Sequence, residues 1–190
     1  MGDVILKSIT LSSLEERYLE LSSSLVRTPT VKLTSPFLID LIKASQIYLK
    51  LECFQYSGTF KARGALSVAK QIPEKDKKFG ITAASAGNHA IAAAWAAKVE
   101  NLSAKVVMQT SANPFRISLA KTYGAEIIMK EGGVATFAEA DKLVREEKRT
   151  FIHPFDGVDT TLGAAGVGLE LIKDCTELDA VVVAVGGGGL

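Results

Sequence analysis

GITAASAGNHAIAAAWAAKV, residues 80–99, carries a strand, a turn and a helix in one stretch. GITAAS (80–85) reads as a short apolar strand, and the Ala-rich run from about Asn88 to Val99 as a helix. Between them ASAGNHA (84–90) supplies the small residues of a tight strand-to-helix turn. Such a strand–turn–helix is half of a crossover unit, so the fold depends on whether the pattern recurs. It does. QIYLKLE (46–52) reads as a strand and FKARGALSVAKQI (60–72) as the helix after it. AKVVMQ (104–109) is a strand, followed by a helix with Asn113 as N-cap, Pro114 in its first turn and its end at Gly124. AEIIMK (125–130) reads as a strand, TFAEADKLVREEKR (136–149) as a helix and TFIHPF (150–155) as a short strand. GLELIKD (168–174) lies on a helix, and AVVVAV (180–185) reads as a buried strand.

Strands alternating with helices define an α/β protein with a parallel sheet and right-handed crossovers. Strands this continuously apolar are covered by helices on both faces. The charge-dense, proline-containing IPEKDKKFG (72–80) marks a hinge, and a second crossing falls near HPFDG (153–157). Two domains follow: 77–153 as a smaller α/β domain, with 1–76 and 154–190 as parts of a larger one.

Of the 190 residues, 47% are hydrophobic and 23% charged, with a formal net charge of +1, an ordinary globular balance. That charge offers no footprint for nucleic acid or an anionic membrane, so neither is expected as a partner. The apolar run AIAAAWAA (90–97) is far too short to span a bilayer. Asp3 and Lys7 come too early for a secretory apolar region, and Leu6 stands where N-myristoylation needs Ser or Thr. Cys53 and Cys175 show neither zinc nor redox spacing, which predicts two reduced, buried thiols in a cytoplasmic protein and no metal site.

Three places along the chain carry candidate chemistry. In ASAGNHA, backbone N–H groups at a helix start favour a carboxylate or phosphate; the plain alternative is a tight turn with Ser85 or Asn88 as an ordinary N-cap. GGGG (186–189) follows AVVVAV directly and lets amides converge on a phosphate without Cβ obstruction, although neither a Walker loop nor GxGxxG is present. The third is Lys61 in LECFQYSGTFKARGA (51–65). Most lysines are solvated surface charges. This one starts a helix, where the macrodipole disfavours a cation, and Gly58, Gly64 and Ala65 leave room for a bulky planar group. A phosphate loop, a carboxylate turn and a desolvated lysine together suggest a pyridoxal-phosphate Schiff base.

SGTFKARGA (57–65), ASAGNHA (84–90) and VVVAVGGGGL (181–190) resemble, in order, the motifs of the fold-type II (tryptophan synthase β-like) pyridoxal-phosphate enzymes. Within these the chain is similar to the serine/threonine dehydratase and serine racemase group. RTP (27–29) and TSPFL (34–38) look like that group's N-terminal segment, and GLEL (168–171) like the helix before its glycine loop. The resemblance implies that Lys61 bears pyridoxal 5'-phosphate, that Phe60 packs near its ring and that Asn88 bonds its phenolic oxygen. It implies that Gly186, Gly187, Gly188 and Gly189 hold the phosphate, and that Ser85, Ala86, Gly87, Asn88 and His89 receive the substrate carboxylate. For His89 a purely structural capping bond is the alternative, and His153 reads as structural.

Two departures stand out: Thr59 where the group most often has Ser, and GAAGVG (163–168) where many members carry a glutamine between glycines. The resemblance also implies further strands and helices beyond Leu190, including the residue facing the pyridine nitrogen and, in some members, ligands of a divalent cation. The chain is therefore expected to be an incomplete catalytic unit, part of a longer polypeptide or completed in a homo-oligomer. The implied activity is a dehydratase, or ammonia-lyase, converting L-threonine, L-serine or a similar small β-hydroxy amino acid to a 2-oxo acid and ammonia. The alternatives are a serine racemase or β-replacement enzyme of the same fold, and a non-catalytic binding or regulatory module. Ala86 bears on the first choice: the racemase branch is similar to this motif with a serine at that position, able to deliver a proton to the face of Cα opposite the lysine.

Overall fold

The computed structural model describes residues 9–43 and 46–190. The targeting positions Gly2, Asp3, Leu6 and Lys7 lie outside the described residues. Helix α1 (Leu11–Ser22) opens on a capping box, in which Thr10 Oγ1 accepts from the Ser13 amide and Ser13 Oγ accepts from the Thr10 amide. Strand β1 (Thr30–Lys32), helix α2 (Pro36–Ile42) and strand β2 (Tyr48–Lys50) follow. Two short 3₁₀ turns, Glu52–Phe54 and Tyr56–Gly58, lead into α3 (Lys61–Lys70), and α4 (Glu74–Lys77) is a single turn in the charged stretch. Then come β3 (Ile81–Ala84), α5 (Asn88–Val99), β4 (Ala104–Gln109), α6 (Pro114–Thr122) and β5 (Glu126–Lys130). Helix α7 (Gly132–Glu147), strand β6 (Thr150–Phe151), α8 (Val158–Ala164) and α9 (Gly166–Asp174) complete the elements.

Four strands form one parallel sheet in the order β5-β4-β3-β6, and β1 pairs antiparallel with β2 in a separate ribbon. The pleat divides the inner strands between two cores. Ile81 and Ala83 of β3, with Val106 and Met108 of β4, join the main cluster with α3, α5 and α6, while Ala84 and Val107 point the other way onto Ala140 and Leu143 of α7. Helix α5 is buried from His89 to Ala97, because alanines let it lie close between the sheet and α3. Its Trp95 stacks on Tyr56 at 5.0 Å between ring centroids.

Helix α3 is anchored by a buried ion cluster. Arg63 donates to both oxygens of Glu170 on α9 and to both oxygens of Glu52, each at 2.9 Å. Lys50 reaches Glu170 at 2.7 Å, tying the ribbon to the same carboxylate. Burial opposes ionisation of Glu170, but the hydrogen bonds from Arg63 and Lys50 outweigh it and hold the carboxyl below its ordinary range. The small residues of GAAGVG have a packing reason: a Cβ on Gly163 would lie 2.5 Å from the Arg63 carbonyl oxygen and 2.6 Å from Ser67 Cβ. Glycine there brings α8 onto α3.

The structure corrects several expectations. AVVVAV forms no strand among the described residues and is not buried, with Val182 97% and Val185 81% exposed. Its valines suit a strand, but no described strand lies beside it to complete a ladder. QIYLKLE contributes only Tyr48–Lys50, to the antiparallel ribbon and not to the parallel sheet. Helix α7 starts four residues before Thr136, at Gly132. Cys53 is exposed; only Cys175 is buried, and both are free thiols. The helix opened by Asn113 is as expected, with its side chain accepting from the Phe115 amide at 2.8 Å.

Candidate active site

Lys61 lies at the first position of α3 and lines a narrow cleft with Phe60, Ala65, His89, His153, Thr160 and Gly189 among others. Burial pushes its amine below the ordinary lysine value. The lowered amine anticipated for Lys61 is thus present, and its cause is burial. Its Nζ donates to the Pro154 carbonyl and lies 4.7 Å from the centroid of the Phe60 ring.

The five residues of the turn after β3 are used differently from one another. Ser85 Oγ accepts from the Gly87 amide at 3.1 Å, closing the turn, and Gly87, not Ser85 or Asn88, is the N-cap of α5. Ala86 packs its methyl against the main core. A Cβ on Gly87 would come within 3.1 Å of the Arg116 guanidinium. Asn88 is exposed and lines a neighbouring groove of about 580 Å³ with Ser57, Asn113, Phe115 and Arg116. His89 is buried, with Nε2 2.8 Å from the Ile152 carbonyl oxygen. Nε2 therefore carries the proton, and burial pushes the imidazole down to about 4, so it is neutral at physiological pH.

In the glycine loop only Gly189 lines the cleft, and a Cβ there would stand 3.0 Å from Lys61 Nζ. A Cβ on Gly187 would strike the Phe155 ring at 2.5 Å, and Gly188 has a left-handed φ of 78°. The amides of Gly186 to Gly189 make no backbone hydrogen bond within the described residues. A desolvated amine beside Gly189, in a run of glycines whose amides make no backbone bond, fits a phosphorylated aldehyde such as pyridoxal phosphate. Reasoning from sequence missed Pro154, Thr160 and the part His153 plays in the cleft; HPFDG stood out only as a crossing. Ser57, the residue before Gly58, holds a left-handed backbone (φ 62°), a non-glycine strain invisible in composition. Among the described residues no cluster of His, Cys, Asp or Glu could hold a metal ion, and no helix is long and apolar enough to cross a membrane.

A desolvated lysine beside a glycine loop can take a carbonyl cofactor. Residues 21–190 match the family model described as pyridoxal-phosphate dependent enzyme, and the chain belongs to that family. Phenylserine dehydratase of Ralstonia pickettii is 44% identical over 149 residues, 78% of this chain and 46% of its own length. The L-threonine dehydratase catabolic TdcB of Staphylococcus aureus is 36% identical over 183 residues, 96% of this chain and 52% of the relative. Among solved structures, maize serine racemase aligns with a TM-score of 0.88 at 30% identity, covering 96% of this chain and 55% of that one. A threonine deaminase from T.th. aligns with a TM-score of 0.82 at 33% identity, covering 95% of this chain and 58% of that one. The chain spans about half the length of the curated relatives it matches.

Proposed function

We propose that the chain carries the lysine, the carboxylate turn and the phosphate loop of a pyridoxal-phosphate-dependent dehydratase acting on a small β-hydroxy amino acid. The observation that carries this is the Lys61 amine, lowered by burial and set against Gly189 in one cleft. The dehydratases among the relatives support the same reaction class. Lys61 would hold the cofactor, Phe60 would flank its ring, Gly186 to Gly189 would take its phosphate through their amides, and Asn88 would reach its phenolic oxygen. Pyridoxal phosphate, when bound, supplies a conjugated ring that accepts the electron pair released at Cα. The freed Lys61 amine takes the Cα proton, a task suited to an amine whose pKa burial has lowered. With the Ser85 amide bonded to the Val107 carbonyl and the Gly87 amide to Ser85 Oγ, the amides of Ala86, Asn88 and His89 would receive the substrate carboxylate, and the buried neutral His89 stiffens that turn without adding charge. Loss of the β-hydroxyl as water and hydrolysis of the resulting imine give the 2-oxo acid and ammonia.

The division into 77–153 and the flanking segments belongs to this reading, since the parallel sheet lies wholly between Ile81 and Phe151 while Lys61 and the glycine loop lie outside it. A racemase is the second reading, favoured by the likeness to maize serine racemase. The test is to add pyridoxal phosphate, reduce with borohydride and map the modified peptide, then assay 2-oxo acid release from L-serine, L-threonine and phenylserine. Modification at Lys61 with release of a 2-oxo acid is expected; modification elsewhere sinks the assignment.

A further inference from the structure

The residues just after β6 touch three separate parts of the site. The Ile152 carbonyl accepts from His89, which anchors the 85–89 turn. The Pro154 carbonyl accepts from Lys61 Nζ. Phe155 occupies the space that side chains on Gly187 and Gly189 would need, its Cα only 2.8 Å from a Cβ on Gly189. His153 makes none of these three contacts. Its Nδ1 instead accepts from the amides of Phe155 at 3.3 Å and Asp156 at 2.9 Å, and its ring sits edge-on to Phe151 and Phe155, with centroids 5.7 and 4.7 Å away. An Nδ1 that accepts must keep its lone pair, so the ring proton sits on Nε2.

The Pro154 carbonyl and the Phe155 N–H belong to one planar peptide unit, and in a trans unit they point in opposite directions. Holding the N–H on one side therefore aims the carbonyl to the other, where Lys61 Nζ lies. Proline adds a fixed φ and has no N–H of its own to compete. We propose that His153 is a positioning residue for Lys61: by gripping the Phe155 and Asp156 amides it aims the Pro154 carbonyl at the lysine amine and seats Phe155 against the glycine loop. The role rests on Lys61 being the cofactor-bearing lysine, but the geometry can be tested without the cofactor.

In the full chain, His153→Ala removes the acceptor, His153→Gln carries it one bond too far, and His153→Asn sets an oxygen close to where Nδ1 stood. The first readout is the alkaline pH profile of Lys61 acylation by acetic anhydride, followed by peptide mass, with the exposed Lys75 as internal reference. The titratable groups facing Lys61 are His89, from the start of α5, and His153 itself. Because the carbonyl acceptor favours the ammonium, the profile should move further below that of Lys75 in the Ala and Gln variants and stay near wild type in the Asn variant. The second readout, half-saturation by pyridoxal phosphate from borohydride-trapped Lys61, should weaken on the order of tenfold in the same two variants. A purely structural histidine would lower thermal stability in all three variants and leave the Lys61 profile in place, which would overturn the proposal, as would an Asn variant that behaves like Ala. If His153→Ala does not fold, the Asn–Gln comparison decides. A profile that responds while no cofactor is trapped on Lys61 supports the positioning role and refutes the cofactor reading; trapping with an unresponsive profile does the reverse.

Discussion

Lys61 is partly desolvated, and its amine is held in a fixed direction by the Pro154 carbonyl. Lys61→Ala should abolish covalent capture of pyridoxal phosphate and any elimination activity. It should leave the circular dichroism spectrum and melting transition nearly unchanged, because Ala is a good helix former at the head of α3. Cofactor still trapped on another lysine, in intact protein, would mean the wrong residue has been chosen. Ala86 sets a second expectation. Its methyl group neither gives nor accepts a proton, so with Lys61 on one face of Cα a returning proton regenerates the original enantiomer. Incubation with L-serine should therefore yield pyruvate in excess of D-serine, and Ala86→Ser should raise the D-serine share.

At the scale of elements, α3 is held on two sides by different physics. Toward α8 the contact is steric: Gly163→Ala puts a methyl within 2.5 Å of backbone in α3, where no flexible side chain can yield. Overpacking of this kind should cost about 1–3 kcal/mol, seen as a lowered denaturation midpoint with an unchanged denaturant slope. Toward α9 the contact is ionic and buried. Arg63→Met leaves Glu52 without a cation and Glu170 with Lys50 alone, so a loss of about 3–5 kcal/mol is expected in equilibrium unfolding. Adding Glu52→Gln to Arg63→Met should recover part of that loss, since it removes the orphaned charge while Lys50 still pairs with Glu170. A double variant no more stable than the single one would show that packing, not charge, dominates there.

For the whole molecule, acid stability should carry the mark of His89. Burial lowers its folded-state value to about 4, against the ordinary 6.5. Between those two pH values the unfolded chain binds a proton that the folded chain refuses, so stability falls as pH drops through the window. The contribution is on the order of 3 kcal/mol, fully present above pH 6.5. His89→Gln keeps a donor for the Ile152 carbonyl but cannot titrate, so its stability–pH curve should be flatter across that range. An equal slope in both proteins would remove His89 from the acid response. Glu170 and Asp174, whose folded values are depressed, add to the loss at still lower pH.

What the sequence alone determined is what depends on near neighbours. The period-two and helical patterns located β3, β4, β5, α5 and α6, because strand alternation and helix capping are decided within a few residues. Lys61, the 84–90 turn and the glycine run were legible for the same reason, each being a contiguous motif. The start of α7 was less so, since Gly132 and Gly133 argue against a helix that tertiary packing nevertheless extends. Contacts across long separations were decided only by the tertiary structure. Lys61 and Pro154 stand 93 positions apart, and nothing local to either predicts that they meet. The burial of His89 and the grip of Arg63 on Glu170 are likewise outcomes of how elements pack. Local propensity selects an element's type, whereas burial, pKa and partner depend on which distant surfaces exclude water from it.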